Sequence, residues 1–454
     1  MFKIHPNVLI LACLFLASSL TAQTYTSWLV GDAADVSTSH EAGIVLAGGG
    51  SDNDDAMAWM LNRADGGDVV VLRASGTNGY NNYFFNQLGV TVNSVETIRI
   101  PSVAAANDPY VQSRIEEAEV VFIAGGDQTD YYDFWKDTPV ETALNYLLTS
   151  KNATVGGTSA GMAILGNYYY APQNLGVTSS EALKNPYHNN MDLIGQNDFL
   201  QHPILANTIT DTHFDNRSRS GRTFTFLARM VEDWGVAGKA ITCNEVTAVC
   251  IDETGLAHVY GEHPAYDDYA YFMQVNCFAD NVPERCQANK RLWWKINRKV
   301  VMVYQVPGTV DGSNTFDLND WNTGNGGEWQ QWWVTKRGQL KKWSHNVAAP
   351  NCNTPLEDPG QEAWEADFSW QQTQQEAFAA FPNPGSEFMN LEIDLPADQA
   401  WRVDVWTSQG QLQTTWEGQG YQVVEASLGE WADGWYYVRL WYAGEVQVIP
   451  YFKQ

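Results

Sequence analysis

Positive charge is scarce in this 454-residue chain: 26 Lys and Arg stand against 53 Asp and Glu, a formal net charge of −27. Such a balance repels phosphate backbones and anionic lipid, which argues against nucleic-acid binding as the general function. Cysteine is sparse as well, six in all, with no C-x-x-C pair. His258 and His263 lack a helical metal-pair spacing, so no metal site is expected. No run after residue 22 is apolar enough to span a bilayer, which needs ~20 residues. The glycine run Gly48–Gly50 has neither a P-loop lysine nor G-x-G-x-x-G spacing, so no nucleotide cofactor is expected. No repeat with a period of about 20–50 residues recurs.

What is present is enough to fold. The chain is 44% hydrophobic and 13% aromatic, which excludes global disorder. Its length exceeds one ordinary domain of ~100–200 residues. Residues 1–22 read as a secretory signal: Lys3 is the positive start, Val8–Leu16 a short apolar run, and Ser18–Ala22 a small-residue cleavage region. Export permits disulfides, and Cys277–Cys286 is the expected local bridge because it closes a short polar loop.

The first half alternates short apolar runs with helical patterns. Gly43–Gly50, Asp68–Arg73, Val95–Ile100, Val120–Ala124 and Ala153–Val155 read as buried parallel strands. Ala56–Ala64 follows Ser51-Asp52-Asn53-Asp54, and Pro139–Leu148 follows Asp137-Thr138, both good helix starts. The fold class expected is α/β, a doubly wound, mostly parallel sheet. Ligands of such sheets sit beyond the carboxyl ends of the strands, which puts Gly48–Gly50, Gly125–Gln128 and Gly156–Gly161 along one edge. The second half differs. Fifteen of the 19 Trp fall between Trp293 and Trp441, and alternation such as Val300–Val306 argues hairpins. After an acidic stretch, six short strand-like runs between Met389 and Pro450 fit a β-sandwich.

The chemistry concentrates in Gly157-Thr-Ser-Ala-Gly161. A G-x-S-x-G turn at the end of an apolar strand is a nucleophile elbow, with Ser159 exposed on a strained turn and the Ala160 N–H aimed at a developing oxyanion. A serine needs a base, and His213 in Asp211-Thr-His-Phe-Asp-Asn-Arg-Ser-Arg-Ser-Gly-Arg222 is the candidate. Arg217, Arg219 and Arg222 form a basic cluster suited to a substrate carboxylate, or to ion pairs at a helix start. Gly125-Gly-Asp-Gln128 ends another strand. There Gly126 can add a second oxyanion N–H, while Asp127 and Gln128 can contact substrate.

Together these motifs resemble the cyanophycinase and aspartyl-dipeptidase family of serine peptidases, which look like class I glutamine amidotransferases with Ser in place of Cys. The resemblance covers about Gly43–Gly261 and implies a flavodoxin-like core with no cofactor. It implies Ser159 as nucleophile, His213 as general base and Glu245 as the acid. Glu245 is assigned because Asn244-Glu-Val-Thr-Ala248 is similar to the family's D-E-x-T-A, with Asn244 departing from the usual Asp. Glu253 and Asp211 compete for the acid role. The implied reaction is amide hydrolysis at aspartyl residues, including β-aspartyl–arginine links of cyanophycin, through an acyl-enzyme. The order Ser…His…Glu differs from that of α/β-hydrolases.

Separately, Phe381-Pro-Asn-Pro384 and Gly434-Trp-Tyr-Tyr-Val-Arg439 resemble the type A sorting domain of Bacteroidota type IX secretion. The expected organisation is a signal peptide (1–22), a peptidase α/β domain (23–263), a Trp-rich β extension (264–350), a linker (351–376) and a sorting β-sandwich (377–454). The expected partners are a peptide or cyanophycin-like substrate and the type IX machinery, with a secreted or cell-surface location and oligomeric state open, a homodimer included. Competing readings are an α-aspartyl dipeptidase and a catalytically inactive polymer-binding surface protein.

Overall fold

The structure, a computed structural model, describes residues 23–192, 194–278 and 280–350, and beyond them 378–381, 388–393, 395, 398–407, 411–420, 422–428, 431–432, 434–443 and 445–453. The signal segment and the linker expected from the sequence lie outside the described residues, as do Pro382, Asn383 and Pro384. No helix among the described residues is long and apolar enough to cross a membrane.

The fold is α/β, built on two mixed sheets. The ten-stranded sheet has a parallel heart in the order Ser94–Arg99, Asp68–Arg73, Val120–Ile123, Thr154–Thr158, Gly43–Ala47. The first four follow a flavodoxin-like order, and the earliest strand of the five takes the last place. Alternate residues point to opposite faces. Ile44, Leu46, Val70 and Leu72 join one core, whereas Val45, Val69, Val71 and Phe122 join another. Both faces are therefore covered, as parallel strands require. The helix Asp54–Asn62 closes one side with Met57, Met60 and Leu61, and Asn53 caps it by accepting from Ala56 N.

The expectation of a mostly parallel sheet needs correction. Ala248–Asp252, Leu256–Tyr260, Thr315–Asp317 and Gly324–Asn325 extend the first sheet antiparallel, and Thr26–Gly31 adds an antiparallel edge. The reason is loop length: Ala248–Asp252 and Leu256–Tyr260 are joined by three residues, too few for a crossover. The eight-stranded sheet is antiparallel except around Thr208–Asp211. The Trp-rich stretch builds both sheets. Tyr269–Val275, Val301–Pro307, Glu328–Val334 and Leu340–Trp343 belong to the second sheet, and Phe272, Tyr304, Phe316 and Trp321 enter the core between the two. The second sheet's other face packs on the helix Ser220–Trp234 through Phe224, Phe226 and Leu227.

Near the C-terminus a three-stranded and a four-stranded sheet share one core that includes Leu391, Ile393, Val403, Val405, Val438 and Leu440. All six strand-like runs after Met389 are strands. The cysteine expectation fails. Cys286 is a free buried thiol, as are Cys243 and Cys250, while Cys277 is disulfide-bonded. Its partner is thus none of the described cysteines, and local loop closure did not decide the pairing.

Candidate active site

Three neighbouring parallel strands deliver the three glycine-bearing loops to one edge. Ser159 follows Thr154–Thr158 directly and is held at φ 51°, ψ −117° by Ser159 N donating to Ala47 O at 3.1 Å. A helix of one turn, Ala160–Ala163, follows. The flanking glycines are required by contact: a Cβ on Gly157 would stand 2.5 Å from Gly161 C, and one on Gly161 would stand 2.0 Å from Ile123 O. The strand can therefore turn into the helix only without those side chains.

Ser159 Oγ lies 2.7 Å from His213 Nε2, and His213 Nδ1 lies 2.5 Å from Glu245 Oε1. A carboxylate only accepts, so Nδ1 carries the proton and Nε2 is left as the acceptor for the serine hydroxyl. Asn216 Nδ2 donates to Glu245 Oε2 at 2.9 Å, and Glu245 N donates to Asp215 Oδ1 at 3.0 Å. Glu253 instead pairs with Arg63, and Asp211 pairs with Arg222. Of the three candidate acids, only Glu245 meets the imidazole.

The loop Gly48–Gly50 ties these parts together through its backbone. Gly48 O accepts from His213 N at 2.9 Å, Gly49 O accepts from Val246 N at 3.0 Å, and Gly48 N donates to Thr247 O at 2.9 Å. A Cβ on Gly49, at φ 95°, would stand 2.7 Å from His213 Nε2 and 2.9 Å from Ser159 Cβ. Sequence reasoning placed these glycines at the edge but did not find this role. The available signal was three consecutive glycines immediately after a buried strand. It also missed Asp215 and Asn216, which stand two and three positions after the histidine.

Burial is the main influence on the His213 pKa and lowers it. The Glu245 hydrogen bond opposes that shift, and the positive charges of Arg217 and Arg219 reinforce it. Burial also pushes Glu245 upward, but hydrogen bonds from His213 and Asn216 outweigh it and leave the carboxylate below its ordinary range. The resting pair is thus neutral imidazole beside carboxylate, the state in which Nε2 can take a proton. Burial raises Asp215 to about 6.

The expected arginine cluster divides. Arg222 Nε donates to Asp211 Oδ2 at 3.0 Å, and Arg219 Nη1 reaches Asp211 Oδ1 at 3.4 Å and Thr212 O at 2.8 Å. Both arginines are buried on Asp211, and Arg222 also lies over the Tyr170 ring. Two members of the expected substrate clamp are therefore turned to an internal carboxylate, because a buried charge needs a partner. Arg217 makes no ion pair among the described residues, and its buried Nε has no hydrogen-bond partner. Asp127 caps the helix Gln128–Trp135 by accepting from Thr129 N at 2.9 Å, and Gln128 Nε2 donates to Tyr170 O at 3.4 Å. Asp211→Ala would leave two buried guanidinium groups uncompensated and should destabilise the fold by about 3–5 kcal/mol. Urea unfolding checks this, and an unchanged midpoint would contradict the buried ion pair.

Ala160, first in its short helix, and Gly126, after Val120–Ile123, stand on neighbouring turns. Gly125 stands close to the serine: a Cβ there would be 3.5 Å from Ser159 Cβ. The arrangement can hold a carbonyl beside an activated hydroxyl. No group of three or more His, Cys, Asp or Glu among the described residues is placed to hold a metal ion.

Comparison with known proteins covers part of this region, including Ser159. Residues 77–192 match the description of Peptidase family S51. The chain is 26% identical over 159 residues to a cyanophycinase from Geminocystis herdmanii, covering 35% of this chain and 53% of that one. It is 26% identical over 194 residues to a cyanophycinase from Trichormus variabilis, covering 39% and 59%. The chain thus spans little more than half the length of these curated relatives. A crystal structure of a peptidase from an acI-B1 Actinobacterium aligns with 49% of this chain and 89% of that chain, at 14% identity and a TM-score of 0.37.

Proposed function

We propose that this protein is a serine peptidase that hydrolyses amide bonds at aspartyl residues, with β-aspartyl–arginine links of cyanophycin as a substrate. The observation that carries the reading is the continuous relay from Ser159 Oγ through His213 to Glu245. His213 Nε2 accepts the Ser159 proton as Oγ attacks the carbonyl, and Glu245 stabilises the resulting imidazolium. The N–H groups of Ala160 and Gly126 receive the oxyanion. His213 then gives its proton to the leaving amine, and water deacylates the serine by the same steps in reverse. Arg217 is the clamp for the aspartyl carboxylate, supported by the absence of an ion pair to it among the described residues and by its unbonded Nε, with Gln128 and Asp127 at the rim. The signal-like residues 1–22 and the sorting-like residues 377–454 support export through a type IX route to the cell surface or beyond.

Mass spectrometry of products from cyanophycin and from α- and β-aspartyl dipeptides tests the substrate. Cleavage of β-aspartyl–arginine bonds is expected. Turnover of α-aspartyl dipeptides alone would make the protein an α-aspartyl dipeptidase, and intact substrates throughout would favour an inactive binding protein. The pH dependence is a second test. The base works only when neutral, and burial lowers the His213 pKa. Activity should therefore rise with pH along an acid limb whose midpoint in kcat/KM lies below ~6.5, the ordinary imidazole value. A limb at or above that value would contradict the buried, neutral base.

A further inference from the structure

The positive charge that the chain does carry is unevenly placed. Residues 285–299 hold six Lys or Arg and residues 335–343 hold four, with no Asp or Glu in either stretch. That is ten of the 26 cations, so the rest of the chain has 16 against 53 acids, a balance of −37. The fold brings the two stretches together. Trp294 bridges Val334, Arg285 Nη2 donates to Lys336 O at 3.0 Å, and Arg291 Nη1 donates to Arg337 O at 2.9 Å. Between them lies a recess of about 340 Å³ lined by Trp293, Lys295, Thr335, Lys336, Arg337 and Gln339.

Strand alternation assigns the face. Val334 and Trp294 are buried, so Trp333, Thr335, Trp293 and Lys295 point the opposite way. Lys341 lies opposite Trp333, and Trp343 opposite Gln331, on that same side. Trp293, Trp333 and Trp343 are half-buried, while Lys295, Lys336 and Arg337 are exposed. None of these three cations is in an ion pair among the described residues. Among the described residues the acidic side chain bonded at this rim is Glu284, whose Oε2 accepts from Lys295 N at 2.9 Å. Arg285 and Arg291 donate to backbone carbonyls, which leaves their charge uncancelled. Lys336 Nζ lies over the Trp293 ring, 5.4 Å from its centroid, and an acidic protein that gathers cations without carboxylate partners beside half-buried indole rings presents a surface for an anionic ligand with flat apolar faces.

We propose that this face binds an anionic polysaccharide: sugar rings stack on the half-exposed Trp333 and Trp343, and their carboxylates pair with Lys295, Lys336 and Arg337. A glycan with one carboxylate per ring suits a small basic patch in a field of −37. Nucleic acid, with a charge every ~1.7 Å of duplex, would run from the patch into repulsion. The surface is separate from the Ser159 site, and the proposal does not depend on the reading of that site.

Affinity electrophoresis of the full chain in gels containing polygalacturonate tests it, with dextran, polyglutamate and single-stranded DNA as comparison polymers. Retardation by polygalacturonate, weakened by salt, is expected. The double variant Lys336→Glu and Arg337→Glu should bind about tenfold more weakly or worse, because the attraction comes from these charges. Its thermal melting should match the unaltered chain, since both side chains are exposed. No retardation by polygalacturonate, or equal retardation of the variant, would overturn the proposal. Stronger retardation by DNA or polyglutamate would replace the glycan with that class. Binding that emerges only after Glu357, Asp358, Glu362, Glu365 and Asp367 are changed to Gln or Asn would show that the chain's own acidic segment occupies the face, and would also overturn it.

Discussion

Ser159→Ala should lower kcat/KM on an aspartyl peptide by at least about 10⁴-fold while leaving the fold intact. The size follows from what is removed. Without Oγ no acyl-enzyme forms, and what remains is binding and whatever the oxyanion donors add to attack by water. The fold should survive because, among the described residues, the side chain's hydrogen-bond partner is His213 alone, and the backbone at φ 51° is fixed by other groups. Ser159 N still donates to Ala47 O, and Gly157 and Gly161 still allow the turn. Steady-state hydrolysis alongside a melting curve separates the outcomes. Full activity in the variant would refute serine catalysis, whereas lost activity with a lowered melting temperature would be uninformative about chemistry. Ser159→Cys then supplies the missing evidence, since a restored nucleophile should trap thiol-directed reagents at that position.

Glu245→Gln should be nearly as damaging, about 10³–10⁴-fold in kcat, through the imidazole rather than through the substrate. The carboxylate fixes the proton on Nδ1 and stabilises the charge that appears on His213 when Nε2 takes the serine proton. An amide can donate to Nδ1 instead, which favours the tautomer with its proton on Nε2 and blocks the base. The loss should therefore fall on kcat, with KM little changed. Glu253→Gln is the matched control. That carboxylate pairs with Arg63, and its side chain is 55% exposed, so its removal should leave kcat as it was. Reversal of the two results would move the acid role to Glu253.

The serine was legible because its signal is local. A glycine two places before and two after, at the end of an apolar strand, states the turn in five residues. The histidine was a candidate from its polar, charged segment, but the glutamate was legible only by resemblance, since nothing within their own segments says that the two meet. Asp215 and Asn216 gave no signal at all. They act through long-range contacts to Glu245, and a polar stretch at a helix start reads the same with or without such contacts. The parallel strands could be read from their unbroken apolar runs. Their antiparallel extension was not read, because Ala248–Asp252 and Leu256–Tyr260 are short runs that do not stand out as strands; once they are paired, the three residues between them are too few for a crossover. The arginines show the limit of residue chemistry: three looked alike in sequence, and Asp211 distinguishes them by taking two.

The relay also has an order of assembly. Ser159 stands at the end of a strand in the first sheet and His213 just past a strand in the second. Glu245 lies on the short link that carries the chain from Lys239–Cys243 in the second sheet back to Ala248–Asp252 in the first. The serine and histidine are 54 residues apart, and the histidine and glutamate 32. Neither sheet alone contains the relay, and no single stretch of chain can make it early from local contacts. Contacts of this range form late, after the loops between them have been closed. A nascent or partly unfolded chain therefore lacks the relay, which is complete only once the two sheets have docked.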